Sequence, residues 1–224
     1  MPQYKVNFFS IVFLGRMNPA ILNHDFLLTN EIIPRDQEPF RSLLAKDPGK
    51  QFSQFISTPV MSTIQYGDYH ILVEEERYQI VDHTGQLLDR SPIIAMTKSY
   101  FGRVLKYTPL KLGGFNLNAK VTFDSEEDEN EFDKRLGMNT EKVAASLSIE
   151  RVQMGALLRY PLDGGISEIQ ILKPKITGRP TLLNLNFEYP FKGMDDFLGH
   201  LDKVKDIQQH FAGIMAKLKL EAAK

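Results

Sequence analysis

Two clusters of short alternating segments, each broken by turn signals, limit the fold of this chain more than any other feature. From Thr58 onward Met61, Thr63 and Gln65 alternate with Val60, Ser62, Ile64 and Tyr66. Gly67-Asp68 then supplies a turn, and Tyr69, Ile71 and Val73 share one face. A period of two belongs to half-buried strands, because successive side chains of a strand point to opposite sides. A second turn at Glu75-Glu76 leads to a strand carrying Tyr78, Ile80 and Asp82. The same texture returns at about 148–158, 166–173 and 181–188, with breaks at Asp163-Gly164-Gly165 and Gly178-Arg179-Pro180. Connections this short join antiparallel neighbours, since a parallel pair needs a crossover of a dozen or more residues.

Longer segments frame each cluster. Lys5 to Leu14 is a nearly continuous apolar run, as in a strand covered on both faces, and Gly15 ends it. Asn18-Pro19 reads as a helix start, with a capping Asn and Pro in the first turn. That helix carries Leu22 and Phe26 and must stop before Pro34. Residues 34–56 read as an irregular connection holding one short helix around Phe40, Leu43 and Leu44. Ser91-Pro92 opens a helix in which Ile93, Met96, Tyr100, Val104 and Tyr107 have helical spacing, and Pro109 closes it. In the second half Leu117, Ala119, Val121 and Phe123 alternate as a strand. Ser125 with Asp128 resembles a capping box, Thr140 starts a short helix to Leu147, and an amphipathic helix spans Met194 to Leu220.

Each half therefore reads strand, helix, three strands, helix. The halves are 1–111 and 112–224, meeting at Lys111-Leu112-Gly113-Gly114 as parts of one body. The expected class is α+β, with mainly antiparallel sheet backed by two long helices. This order resembles the TATA-binding-protein topology, which pairs two such units in a curved sheet. The resemblance is one of element order, without a shared motif, and fold by itself does not carry function.

Chemistry is harder to place. No cysteine occurs among the 224 residues, which removes disulfides, thiolate metal sites and Cys nucleophiles and fits a reducing, cytoplasmic setting. The apolar part of the N-terminal region, Phe8 to Leu14, is too short for a membrane helix and lacks a cleavage site, so neither a span nor a secretion signal is expected. The five histidines form no HxH or HExxH pattern, and His200 and His210 stand about 15 Å apart along one helix. No metal or cofactor is assigned. Gly113-Gly114 and Gly164-Gly165 lack the rest of a nucleotide-binding loop. Asp124 to Asp133 holds seven carboxylates in ten residues. Glu126, Glu129 and Asp133 approach one another at helical spacing, and the first-turn acids complement the helix dipole.

Three readings of function follow. The favoured one is a non-catalytic interaction protein or accessory subunit of a larger assembly, binding a partner or itself through the C-terminal helix. Ile207, Phe211, Ile214, Met215 and Leu218 are its candidate interface: Phe211, Met215 and Leu218 belong to a heptad-like seam, and Ile207 and Ile214 widen its apolar face. The alternative is a nucleic-acid binder using a curved sheet or the basic loop with Lys173, Lys175 and Arg179. A formal net charge of −1 and the lack of interleaved aromatics weigh against it. The third is an enzyme with a dispersed site, for which His70, His83 and Asp82 are first suspects, although no catalytic residue is assigned.

Overall fold

Two thirteen-residue strands, β1 (Gln3–Gly15) and β6 (Leu110–Thr122), run antiparallel side by side and set the plan of the molecule. Phe9, Ile11 and Phe13 of β1 and Phe115, Leu117, Ala119 and Val121 of β6 point to one side, where all are buried. The computed structural model describes residues 2–36, 38, 40–46, 54–104, 110–138, 140–148, 155–173 and 180–223. Outward from β1 lie β2 (Gln54–Ser57), β3 (Met61–Tyr66), β4 (Tyr69–Glu74) and β5 (Arg77–Asp82). Outward from β6 lie β7 (Ala156–Leu162), β8 (Gly165–Leu172) and β9 (Thr181–Pro190). Among the described residues the result is one ten-stranded sheet in the order β2-β3-β4-β5-β1-β6-β9-β8-β7. Its last member, β10 (Glu221–Ala222), pairs with the start of β1 and is the parallel exception in an antiparallel sheet. Gly67 and Gly164 take the left-handed conformation, φ 54° and 72°, at the turns after β3 and β7, where a side chain would be strained.

Among the described residues, seven α-helices accompany the sheet: α1 (His24–Thr29), α2 (Phe40–Lys46), α3 (Ile93–Ser99), α4 (Glu126–Arg135), α5 (Thr140–Leu147), α6 (Met194–Asp202) and α7 (Val204–Lys217). Leu27, Phe40, Ile93, Met96, Phe132, Phe197, Leu201 and Phe211 from these helices join one apolar cluster with the inward strand residues. At its centre Phe13 meets Phe197 edge to face with ring centres 4.2 Å apart, and Phe101 at 5.4 Å. Edge contacts of this kind add to simple area burial. Antiparallel sheets can leave the other face to water, and along β9 buried and half-buried residues alternate accordingly.

The α+β class and the antiparallel sheet are as the sequence implies, but the helices are shorter than expected. After Asn18 the chain makes only a 3-10 turn, Pro19–Ile21, and α1 starts anew at a second cap, Asn23, whose side chain accepts from the Phe26 N–H. The helix after Ser91 covers seven residues before passing into a π turn, Tyr100–Val104. Tyr107 and Pro109 lie outside the described residues. The terminal helix is broken at Lys203, and its two parts cover different patches. Phe197 on α6 covers the rings around Phe13, whereas Phe211 on α7 covers Phe9 and Tyr4. A fourth strand, β2, stands at the end of the segment read as irregular. The strand expected from 148 begins at Ala156, with 149–154 outside the described residues. Ser125 caps α4 as expected, accepting from the Asp128 N–H at 3.1 Å. The division at 111/112 falls inside β6, and the pairing of β1 with β6 joins the halves into one sheet.

Candidate functional site on the open face of the sheet

The centre of the uncovered face is built from two Asn-Leu-Asn triplets, Asn116-Leu117-Asn118 in β6 and Asn184-Leu185-Asn186 in β9. Strand alternation sends both leucines into the core and all four asparagines to the other side. The register sets Asn116 opposite Asn186 and Asn118 opposite Asn184, so four carboxamides form a compact block in the middle of the sheet. Asn is depleted from strands, where β-branched and aromatic residues pack the pleat better. Alternation of Asn with Leu in both strands was the sequence signal for this block, and reading for catalytic motifs passed over it.

One row of the block is closed upon itself. Asn7 donates to the Asn118 carbonyl at 2.5 Å, Asn118 donates to Asn184, and Asn184 donates to Gln170 at 3.2 Å. The register of β1 against β6 shifts between Val6 and Phe8, and this bulge lets Asn7 reach the row. The neighbouring row runs Ser10, Asn116, Asn186, Glu168 and Arg159 across five strands. Arg159 grips Glu168 through Nε and Nη2 at 3.0 and 2.6 Å. Asn116 and Asn186 make no side-chain hydrogen bond among the described residues, and neither does the nearly buried Ser10. Two opposed carboxamides thus keep their donors and acceptors free beside a satisfied ladder.

Two adjoining hollows lie over these rows. One, of about 370 Å³, is lined by Phe8, Ser10, Gln79, Asn118, Gln170 and Asn184 among others. The second, of about 320 Å³, has Val12, Leu14, Leu112, Gly114 and Glu188 on its walls. Arg77, Asn116 and Asn186 border both. Arg77 donates to Gln79 at 2.7 Å and lies 4.0 Å from the Glu74 carboxylate. The charged lining of the hollows is Arg77 against Glu168 and Glu188, with Arg159 on Glu168, while exposed Lys5 and Lys120 stand opposite each other on the same face, outside both hollows.

The residues singled out from the sequence are placed elsewhere. Ile207, Phe211, Ile214 and Met215 are buried against the chain's own sheet, and Leu218 is half-buried on the same cluster. Their apolar face is therefore covered within this chain. Lys173 is no free cation. Its ammonium lies 2.6 Å from Glu129 and 2.9 Å from Asp133, over the Phe123 ring, with 6% of its side chain exposed. The same contacts account for two of the acids in the 124–133 run. Lys175 and Arg179 lie outside the described residues.

Asp82 and His70 occupy opposite faces, because Asp82 sits opposite Tyr69 while His70 sits opposite Val81. Asp82 is buried and accepts from the Thr84 N–H at 2.8 Å, from the Thr84 hydroxyl at 2.6 Å and from Ser91. It ties the end of β5 to the start of α3. His83 is exposed and sets its ring edge-on to Phe8 at 5.7 Å. Among the described residues, no group of three His, Asp or Glu side chains converges as metal ligands would.

His70 shares a hydrogen bond with Thr63, and burial, with His83 nearby, lowers its pKa. A histidine depressed in the folded state contributes stability above its unfolded pKa, near 6.5, and loses it as the pH falls further. His210, lowered by burial and by Lys217, acts in the same direction. The expected result is that melting temperature drops between pH 7 and pH 5, and drops less in His70→Gln. Calorimetry at both pH values checks it.

The sequence matches no protein-family model and no curated protein. Fold and face define the class: an α+β protein whose mainly antiparallel sheet is packed on one side and carries an amide-rich surface on the other. No described helix is long and apolar enough to cross a membrane.

Proposed function

We propose that this chain is a non-catalytic interaction protein, an accessory component of a cytoplasmic assembly, whose recognition surface is the open face of the sheet. The observation that carries the reading is the pair Asn116 and Asn186, opposed at the centre of the face and unpaired beside a hydrogen-bonded ladder. Folding alone favours other residues at such positions. Polar side chains on a rigid central pair of strands offer bonding capacity to a partner at little backbone entropy cost. The C-terminal helix serves this reading as support for the sheet, since its apolar residues are already covered.

The test is recovery of tagged protein from the cells that naturally make it, followed by size-exclusion chromatography with light scattering. Asn116→Arg with Asn186→Arg is expected to abolish co-purification while leaving the melting temperature within a few degrees of the parent. A control, Lys205→Glu on the exposed side of α7, is expected to retain it. Association that survives the double substitution would remove the open face from consideration.

A further inference from the structure

We infer that the open face binds a neutral, hydroxyl-rich ligand, a glycan lying over Asn116 and Asn186 in the two joined hollows. The inference rests on the proposed recognition role of this face and specifies what the face recognises.

Hydrogen-bonding capacity comes first. A carboxamide presents two N–H donors and a carbonyl acceptor, and Asn116 and Asn186 keep theirs unused among the described residues. Ser10 lies beneath them at the floor of the first hollow, 1% exposed. A ligand that satisfies such a mixed set must donate and accept at neighbouring atoms. Vicinal hydroxyls do this; a phosphodiester only accepts and an ammonium only donates.

Charge agrees. Arg77 is set against Glu168 and Glu188, with Arg159 bound to Glu168. Within the hollows a polyanion meets as much repulsion as attraction, which disfavours nucleic acid there; Lys5 and Lys120, opposed on the same face, lie outside both linings. Stacking recognition of single strands also needs a series of exposed rings, whereas Phe8 lines the first hollow alone and the second has no ring in its lining. One half-buried aromatic suits the C–H face of a sugar ring, and Val12, Leu14 and Leu112 give the second hollow an apolar wall.

Size and order agree as well. Each hollow, about 370 and 320 Å³, lies at the lower end of the range for small-ligand sites. Joined along Asn116 and Asn186, they suit linked rings better than one compact molecule. The adjacent ladder from Asn7 to Gln170 holds the surrounding side chains before any ligand arrives.

The experiment is NMR titration of the side-chain amide resonances of Asn116 and Asn186 with maltotriose, cellotriose, mannotriose and N-acetylchitotriose, with an oligouridylate as the anionic probe. At least one neutral trisaccharide is expected to shift both amides with a Kd of about 1 mM or tighter. Asn116→Thr with Asn186→Thr is expected to weaken that binding about tenfold or more while leaving the melting temperature unchanged or raised. The inference is overturned if no trisaccharide moves these resonances by about 10 mM, if the double variant binds as well as the parent, or if only the oligouridylate binds. Where the sugars fail but a co-purifying protein still depends on Asn116 and Asn186, the ligand class is wrong and the recognition role stands. Where both fail, both readings fall.

Discussion

Met215→Asp is expected to unfold the protein or destabilise it by about 3–5 kcal/mol, the range for an unpaired charge placed in an apolar interior. Met215 is 2% exposed on the last turns of α7. The chain beyond it is not free to fray. Leu218 donates to Ile214, Leu220 is buried and donates to the Met215 carbonyl at 2.9 Å, and Lys219 turns the chain through a positive φ of 54°. β10 then pairs with β1, where Glu221 donates to Pro2 and Ala223 to Tyr4 at 2.8 Å. Accommodating a carboxylate at 215 therefore requires the helix end and this strand to peel away together. Leu218→Asp, at a half-buried cap position, is expected to cost about 1 kcal/mol, nearer the centre of ordinary substitutions. Urea unfolding of the two variants separates the possibilities. Near-native stability in Met215→Asp would mean that the terminal face is open to a partner after all, and that the helix, not the sheet, is the surface to pursue.

Lys173→Met should lower stability by about 3–5 kcal/mol at neutral pH, the usual penalty for leaving one member of a buried ion pair alone. The burden falls on Asp133. It is buried, and its pKa is already raised because burial outweighs the opposing pull of Lys173, with Glu129 pushing the same way as burial. Removing the ammonium takes away the main influence holding the carboxyl down. A carboxyl with a raised folded-state pKa contributes stability below its unfolded value, near 3.9, and loses it as pH rises through the folded value. The deficit of the variant should therefore be smallest in mild acid and grow toward neutrality. Adding Asp133→Asn is expected to restore much of the loss and flatten the pH dependence, because the uncompensated charge is gone. A deficit that is constant with pH, or not recovered in the double variant, would place the damage in lost packing on Phe123 and Phe132.

The two cases share a cause. Both residues carry the sequence signature of surface features, one in a widened apolar helix face and the other in a basic loop. Both are spent internally, on neighbours that the primary structure does not place beside them. Lys173 meets Glu129 from 44 residues away, and Asn118 bonds Asn184 across 66. The histidine and aspartate suspects fell apart for a simpler reason. His70 and Asp82 stand on adjacent antiparallel strands, but the register puts them on opposite faces.

What the sequence alone determined was whatever depends on near neighbours along the chain. The period of two in β3, β4, β5, β8 and β9 marked strands. Gly67 and Gly164 supplied the positive φ their turns require, and Ser125 capped α4. Short connections then left an antiparallel sheet as the consistent outcome. The tertiary structure decided which surface remains for others. Strand order and register brought Asn116 opposite Asn186, and the tie of β10 to β1 held the amphipathic α7 onto the sheet. The physical reason is that an alternating pattern states only that one face is buried. Which surface buries it, and which polar groups then find partners, is set by contacts between distant segments that form only when the sheet closes.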